Sequence, residues 1–267
     1  MAGRLSSSSE GPKCESAPLT GYKARFYDSY YTTHILGRKG QVTLETFRGH
    51  ARIFDALWAP VLPADKTARI LDAGCGSGSL VWWLQQRGYT ATAGIDVSGE
   101  QVEMARELGV RGVARADLRE YLSAHPATFD RLILRDVLEH FPREQIIEVL
   151  DLCRGALRPD GALAIQVPNA EAPLWGRIRY GDFTHEMAFT EGALRQLFSV
   201  TGYDGVEFHP AGPVLRGPRD LPRHLLWKCV QNLYRMLVFA ETGRRGVIVT
   251  EGIIALARPL ASSRDAG

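Results

Sequence analysis

The sequence predicts an α/β fold built around a mostly parallel sheet whose two faces are covered by helices. Two observations carry this prediction. Between residues 68 and 167, short apolar runs alternate with segments in which apolar residues recur at helical spacing. The runs are nearly continuous in apolar residues, which is typical of strands that are buried on both faces of a parallel sheet.

Five short apolar runs are the strand candidates of this region. They are residues 68–73, 90–96, 111–117, 129–135 and 161–167. The segments between them have helical patterns, and one apolar stripe consists of Ile146, Leu150, Cys153 and Leu157. We therefore predict strands and helices that alternate along the chain.

The last third of the chain predicts a different order of elements. We expect a helix over about 190–201, strands near 205–210 and 247–257, and an amphipathic helix over 221–239. Near the N-terminus, an aromatic-rich stretch precedes a helix that ends near Trp58, which predicts a helical cap.

Changes in composition predict the domain organisation. The first residues are rich in Ser, Gly and Pro, as flexible segments are. The predicted units are a tail over 1–18, a helical cap over 19–66, one α/β domain over 67–258 with halves 67–170 and 171–258, and a second tail over 259–267.

Composition and charge argue against several classes of protein. The chain has 267 residues, 45% apolar and 23% charged, and its net charge of +2 gives no support to nucleic-acid binding. No apolar run approaches the roughly 20 residues of a membrane span, and the N-terminus has no apolar signal segment. We expect a cytoplasmic protein without disulfides, because its cysteines form no CxxC pair and lie far apart at Cys14, Cys75, Cys153 and Cys229.

The most informative segment is the glycine-rich turn over residues 71–78, which follows one predicted strand and opens a predicted helix. Ser79 takes the place of the last glycine of a G-x-G-x-x-G dinucleotide fingerprint, which argues against a dehydrogenase. Asp72 would repel a pyrophosphate at this position and favours a positively charged ligand. S-adenosylmethionine carries an ammonium and a sulfonium group and no phosphate. The alternative is a glycine turn without a ligand.

Two further acids follow the next predicted strands. Asp96 ends the second strand, where a carboxylate accepts hydrogen bonds from both hydroxyls of a ribose. Its alternative role is a helix N-cap, although Ser98 suits that role better. Asp117 ends the third strand, where it would accept from an adenine amino group or cap a helix. The three acids in register favour a nucleoside ligand.

The ordered motifs resemble those of class I S-adenosylmethionine-dependent methyltransferases over roughly residues 68–169. They are LDAGCGSG (71–78), GIDVS (94–98), ADL (116–118), FDRLILRDVLEHF (129–141) and LRPDG (157–161). The resemblance implies a Rossmann-like sheet of seven strands, with the last one antiparallel and the two late strands as its sixth and seventh. It makes residues 67–170 the cofactor half and 171–258 the acceptor half.

The resemblance also implies the cofactor and the residues that hold it. S-adenosylmethionine would lie with its methionine part along the glycine turn and its amino group near Asp72. Arg135 and Asp136, after the fourth strand, would line the sulfonium side. The complete set of cofactor-binding candidates is Asp72, Gly74, Gly76, Ser77, Gly78, Asp96, Val97, Asp117, Leu118 and Arg135.

Methyl transfer to a neutral hydroxyl needs a base, and two histidines are candidates. His140 begins a helix, so its alternative role is to orient the preceding loop. His185 lies after the fifth strand in an aromatic-rich loop, and Asp182 three residues earlier would orient its ring. The alternative for His185 is packing beside the next helix. The candidate catalytic residues are His185, His140 and Asp182.

A D-x-x-E-H pattern at Asp136, Glu139 and His140 resembles the metal-linked E-x-x-E-H segment of ubiquinone-type O-methyltransferases. The Glu–His pair also occurs in methyltransferases without metals. We therefore predict no metal ion.

The acceptor is the least constrained part of the prediction. Residues 182–203 resemble methyltransferases of bacterial surface-polysaccharide biosynthesis, which implies a sugar hydroxyl. The alternatives are a small-molecule acceptor, such as a quinone precursor, and a protein that binds S-adenosylmethionine without catalysis. Residues 216–245 contain seven Lys or Arg against two acids. This segment would contact phosphates on a nucleotide-linked or lipid-linked glycan, lie on an anionic membrane or, as we expect, pack on its own domain. The sequence does not predict the oligomeric state.

Overall fold

A computed structural model describes residues 22–29, 32 and 41–260 of the chain. The predicted tail over 1–18 lies outside these residues, as do all but the first two residues of the predicted tail over 259–267. Both tails stay predictions.

Helices and strands alternate through most of the described chain. In chain order they are α1 Tyr22–Asp28, α2 Leu44–Leu57, β1 Ile70–Ala73, α3 Ser79–Gln86, β2 Thr92–Asp96, α4 Gly99–Glu107, β3 Val113–Arg115, α5 Leu118–Ser123, β4 Phe129–Arg135, α6 Arg143–Ala156, β5 Leu157–Pro168, α7 Trp175–Arg179, α8 Glu191–Val200, β6 Tyr203–Ala211, α9 Leu221–Thr242 and β7 Gly252–Pro259. Short 3₁₀ turns occur at Ala59–Val61, Leu138–His140 and Pro218–Asp220.

The seven strands form one sheet in the order β3-β2-β1-β4-β5-β7-β6. Strands β1 to β5 are parallel to one another, and β7 is antiparallel to both β5 and β6. The prediction of an α/β, Rossmann-like sheet with an antiparallel last strand is confirmed. The strand order reverses between β1 and β4, and open α/β sheets bind ligands beside such a reversal, at the carboxyl ends of the strands.

The central strands are buried on both faces, as their continuous apolar sequence predicts. Leu132 and Leu134 of β4 pack in a core with α6, whereas Ile133 between them packs in a second core with α2 and α3. This alternation follows from the two-residue period of a strand. Both cores bury large side chains, including Phe198 in the first and Trp58 in the second.

The N-terminal helix α2 packs directly on the sheet domain. Thr43 caps its first turn, and the helix ends before Trp58, close to the predicted position. Phe54 and Trp58 join Trp83 of α3 in the second core, and the Trp83 indole N–H donates a hydrogen bond to Asp55 at 3.0 Å. The predicted boundary between the cap and the α/β domain stays a prediction.

The last strand starts later than predicted. The sequence favoured a strand from residue 247, but β7 begins at Gly252. The side-chain amide of Asn169 donates to the carbonyl groups of Ile248 and Thr250, both at 2.8 Å. These carbonyls are therefore satisfied by a side chain, and the apolar pattern before β7 reflects burial outside the sheet.

The long helix α9 corrects another expectation. We expected its apolar face to pack on its own domain, but Gln231 is its only buried residue. Apolar side chains such as Leu226 and Met236 are 66% and 61% exposed. The periodicity predicted an amphipathic helix, but it did not show which face points outward.

Candidate active site

A cavity of about 350 Å³ opens at the carboxyl ends of the first strands. Its walls come from the turn after β1, the end of β2, the start of α5 and the segment after β4. Helices α1 and α2 contribute the remaining side, including Tyr27 and His50. The cavity therefore lies at the strand-order reversal, where the sequence predicted the ligand site.

The glycine-rich turn forms the floor of this cavity. Gly74 and Gly76 have φ angles of +86° and +55°, a region that residues with a side chain rarely adopt. A Cβ atom at Gly74 would clash with the side chain of Val137, and one at Gly76 would lie 2.8 Å from the Gln101 side-chain oxygen. The turn therefore needs glycine at both positions. Ser77 also lines the cavity.

Asp96 ends β2 at the cavity wall. Its Oδ2 accepts a hydrogen bond from the Gly76 N–H at 2.8 Å, and its Oδ1 accepts one from the Ser98 N–H, also at 2.8 Å. Burial raises the pKa of Asp96, and the backbone hydrogen bonds oppose that shift. A carboxylate oxygen has two acceptor sites, so each oxygen keeps capacity for a ligand hydroxyl. Val97 lies beside it on the wall.

Asp117 caps α5 and also lines the cavity. Its Oδ1 accepts hydrogen bonds from the N–H groups of Arg119 and Glu120, at 2.8 and 3.3 Å. The capping role that we kept as an alternative is therefore present, and it leaves the predicted contact with adenine as a proposal. Leu118 adjoins it on the cavity wall.

Asp72 lies beneath the site in full burial and is not part of the cavity wall. Neither of its carboxylate oxygens has a hydrogen-bond partner within the described residues. Burial raises the pKa of Asp72 to about 7, although the Arg135 guanidinium opposes the shift. An unpaired buried carboxylate is stabilised by a nearby positive charge, which fits a cationic ligand in the adjoining cavity.

The last residue of β4, Arg135, and the residue after it, Asp136, have different partners. The Arg135 guanidinium lies over the Phe54 ring, 5.5 Å from its centre, and lines the cavity. Asp136 has a φ of +56°, and its carboxylate accepts a hydrogen bond from the Gln166 amide at 2.9 Å. A non-glycine residue in this region of φ is strained and is found mostly at functional sites.

His140 lines the same cavity and belongs to a chain of hydrogen bonds. Its Nδ1 lies 2.9 Å from the Thr184 Oγ1, which in turn donates to the Asp182 Oδ1 at 2.7 Å. A hydroxyl has one proton, and Thr184 gives it to the carboxylate. His140 must therefore donate its Nδ1 proton to Thr184, which leaves Nε2 unprotonated in the neutral ring.

The surroundings keep the His140 ring neutral. Burial is the main reason that the pKa of His140 falls to about 4, and the neighbouring His185 lowers it further. Asp182 opposes the shift only in part. At neutral pH, the His140 ring is therefore uncharged.

His185 packs edge-on against His140, with their ring centres 4.7 Å apart. Its Nδ1 lies 3.0 Å from the Ile178 carbonyl oxygen, which fixes the ring because a carbonyl only accepts. The structure therefore brings His140, His185 and Asp182 into one cluster. His140 is on the cavity wall, whereas His185 and Asp182 are not among its lining residues.

A group able to hold a metal ion is present, but it differs from the predicted set. Glu139, His140 and His185 place one ligand atom each within 4.8 Å of one another. Asp136 is not in this group. Glu139 is buried with both carboxylate oxygens unpartnered among the described residues, and burial raises its pKa well above the ordinary value. The absence of a metal ion stays a prediction.

Sequence analysis missed the contribution of α1. Lys23 donates to the His140 carbonyl oxygen at 2.5 Å and pairs with Glu186 at 2.9 Å. Tyr27 lines the cavity, 6.3 Å from the His140 ring centre. We had assigned the aromatic residues of this stretch to a cap because no motif there indicates a site. Thr184 was missed as well, because its role depends on the side chains beside it.

Comparisons with known proteins show the family to which the chain belongs. Residues 44–207, more than half of the chain, match the model of a family described as a methyltransferase domain. The chain is 36% identical over 107 residues to the ubiquinone biosynthesis O-methyltransferase of Xylella fastidiosa strain 9a5c, a match that covers 38% of this chain and 42% of that protein. The corresponding Klebsiella pneumoniae protein (strain ATCC 700721 / MGH 78578) is 29% identical over 112 residues, or 40% and 45% of the two chains. The matches thus span less than half of these relatives.

Solved structures share the fold. An S-adenosylmethionine-dependent methyltransferase from Archaeoglobus fulgidus superposes with a TM-score of 0.62 and 18% identity, covering 85% of this chain and 99% of that one. One from Mesorhizobium loti gives 0.56 and 20% identity, covering 79% and 99%. The family match shows that the chain belongs to the class I S-adenosylmethionine-dependent methyltransferases, and the sheet topology, the glycine turn and the shared fold agree with it.

Proposed function

We propose that the protein transfers the methyl group of S-adenosylmethionine to a hydroxyl of a small molecule. The observation that carries the proposal is the position of His140, on the cavity wall with its Nδ1 hydrogen-bonded to the Thr184 hydroxyl. The tautomer that donates from Nδ1 leaves Nε2 unprotonated. A base in this position removes the proton of a neutral hydroxyl acceptor.

The cavity residues suit the parts of the cofactor. Asp96 is placed to accept from the ribose hydroxyls and Asp117 to accept from the adenine amino group. The unpartnered carboxylate of Asp72 provides negative potential for the ammonium and sulfonium groups. When bound, the cofactor supplies an electrophilic methyl group on its sulfonium.

The residues around His140 then have defined roles. His140 Nε2 would take the proton of the acceptor hydroxyl as that oxygen receives the methyl group and the cofactor leaves as S-adenosylhomocysteine. Thr184 and Asp182 are positioning residues, since they hold the proton on His140 Nδ1. His185 supports the ring by an edge contact.

Two observations favour a small molecule over the glycan hydroxyl that the sequence suggested. The relatives reported above are named for ubiquinone biosynthesis, which makes a quinone-like phenol the first acceptor to test. The cavity wall next to His140 is also apolar and aromatic, with Tyr27, Val137 and Phe141. We propose that residues 67–170 bind the cofactor and residues 171–258 complete the acceptor side.

A methyl-release assay tests this function directly. Labelled S-adenosylmethionine is offered with phenols, catechols and nucleotide sugars, and transfer to a phenolic hydroxyl is the expected result. Transfer to sugars alone would restore the glycan hypothesis. Cofactor binding without transfer to any acceptor in the panel would support the non-catalytic alternative.

Substitutions then identify the base. His140→Ala should lower turnover by about 10²–10⁴-fold with unchanged affinity for S-adenosylhomocysteine. His125→Ala is the control, because His125 contacts Tyr121 and Phe129 away from the cavity.

Since neutral His140 is the active form, its pKa of about 4 predicts a rate that falls only as the pH drops through about 4. A large loss in His185→Ala with normal turnover in His140→Ala would assign the base to His185.

Thr184→Val tests the positioning role. The variant keeps the side-chain volume but removes the hydroxyl that accepts the His140 Nδ1–H. We expect kcat to fall about tenfold with little change in KM, since the ring can then adopt the unproductive tautomer. An unchanged kcat would show that the hydrogen-bonded chain is not used.

A further inference from the structure

Helix α9 carries a stripe of exposed apolar side chains along its outer side. Six of them are between 38% and 66% exposed, and they are Leu225, Leu226, Val230, Leu233, Met236 and Leu237. At 100° per residue they fall within about 140° of the helix circumference and continue over more than three turns. Contiguous exposed apolar patches of this kind mark interaction surfaces.

The opposite side of α9 holds the helix on the protein. Gln231 is buried there, and Trp227 and Tyr234 are half-buried. Arg235 adds a hydrogen bond from its Nε to the Val247 carbonyl oxygen at 3.1 Å. The orientation of the helix is therefore set by contacts on its inner side, and these contacts turn the apolar stripe outward.

Positive charge surrounds the stripe at both ends. Residues 216–245 contain seven Lys or Arg and two acids. Arg216 pairs with Asp220 at 3.7 Å, and Arg244 with Glu171 at 2.6 Å. Within the described residues, the other five cations of the segment have no acidic partner, and they are Arg219, Arg223, Lys228, Arg235 and Arg245.

A basic cleft adjoins the C-terminal end of the stripe. It has a volume of about 210 Å³ and includes the side chains of Arg235, Arg244 and Arg245. Met236 and Phe239 line the same cleft, so apolar and cationic groups meet there. This combination suits a phosphate group whose attached chains enter an apolar layer.

We propose that α9 and the loop after it lie on the surface of an anionic lipid bilayer. The apolar stripe would enter the boundary between headgroups and acyl chains, and the flanking cations would contact lipid phosphates. None of the helices in the described parts of the chain is long and apolar enough to cross a membrane, so α9 would lie along the surface. Membrane docking does not depend on the identity of the acceptor.

Charge favours a membrane over a second copy of the chain. If two α9 helices paired in parallel, identical cationic ends would meet. Antiparallel pairing would place Arg219 and Arg223 of one chain beside Arg244 and Arg245 of the other. Either arrangement brings like charges together, whereas an anionic surface neutralises them.

Vesicle co-sedimentation tests the proposal with the full chain. We expect binding to vesicles of equal parts phosphatidylcholine and phosphatidylglycerol, weaker binding at high salt, and little binding to phosphatidylcholine alone. The double substitution Leu233→Glu and Leu237→Glu should lower the partitioning of the protein onto anionic vesicles by about tenfold or more. Each of Arg219→Gln and Arg223→Gln should lower it about fivefold.

Controls separate this surface from general effects of charge and folding. Val200→Glu changes an exposed apolar residue of α8, and Arg106→Gln changes an exposed cation of α4. Both should bind vesicles like the unaltered protein. All variants should keep their affinity for S-adenosylhomocysteine, which reports an intact fold.

A fluorescent label placed within the stripe gives a second measurement. Cys229 lies on the outer side of α9 and is exposed, whereas Cys75 and Cys153 are buried. In a Cys14→Ser background, an environment-sensitive dye is attached to Cys229. Its emission should shift to shorter wavelength when anionic vesicles are added. Absence of binding by the unaltered protein, or binding that the α9 variants leave unchanged, would overturn the proposal. A dimer broken by Leu233→Glu, without vesicle binding, would assign the face to a second copy.

Discussion

The substitution Asp72→Asn tests whether a buried, unpaired carboxylate prepares the site for a positive ligand. Asp72 is fully buried with no hydrogen-bond partner among the described residues, and burial raises its pKa from 3.8 to about 7. Between these two values the folded protein binds a proton that the unfolded chain releases. Stability is therefore greatest at low pH and is lost as the pH rises toward 7.

The size of the effect follows from the pKa difference. Each pH unit between the two values costs about 1.4 kcal/mol of unfolding free energy. Between pH 5 and pH 8 the carboxylate should therefore remove about 3 kcal/mol from the ligand-free protein. An amide cannot ionise, so the unfolding free energy of Asp72→Asn, relative to the unaltered protein, should rise by about this amount over the same range.

Chemical denaturation at several pH values measures this difference. Asp151→Asn is the matched control, because Asp151 lies on the exposed side of α6 beside Arg154. The substitution should stabilise the ligand-free protein but weaken cofactor binding. At pH 8, Asp72→Asn should bind S-adenosylmethionine about tenfold more weakly than the unaltered protein does. Stability curves of Asp72→Asn and the unaltered protein that stay parallel from pH 5 to pH 8 would refute the reasoning.

Two further predictions concern the cofactor and a metal ion. Asp96→Ala should weaken S-adenosylmethionine binding by ~1–3 kcal/mol in calorimetry, since charge-assisted hydrogen bonds to the ribose are lost. Unchanged affinity would remove Asp96 from the cofactor site. A chelator should leave turnover unchanged, because burial raises the pKa of Glu139 well above its ordinary value and so disfavours the carboxylate that a metal ion requires. Activity that is lost to the chelator and restored by a divalent ion would make Glu139, His140 and His185 metal ligands.

The cofactor side of the cavity could be predicted because its signals are local. The turn at Gly74 and Gly76 and the acid Asp96 lie within a few residues of strand ends, and parallel strands place those ends at one edge of the sheet. A motif at a strand end therefore indicates both the type of a site residue and its position at that edge of the sheet. The mostly parallel sheet could be predicted from the alternation of strands and helices.

The acceptor side could not be predicted in the same way. Tyr27 and His140 are far apart in sequence and meet through tertiary packing, which no local pattern reports. The roles of Thr184 and Asp182 depend on a hydrogen-bond chain between side chains of one loop and His140. The orientation of helix α9 could not be predicted either. The spacing of its apolar residues defines an apolar face but not whether that face points to the core or outward.

A structure with bound S-adenosylhomocysteine tests the central claim most directly. The account predicts density in the cavity between α1, α2 and the carboxyl ends of β1, β2 and β4. The ribose should contact Asp96, the adenine should lie beside Asp117 and Leu118, and the thioether should face His140. Density at another place, or an empty cavity at saturating ligand, would contradict the assignment of this cavity as the cofactor site.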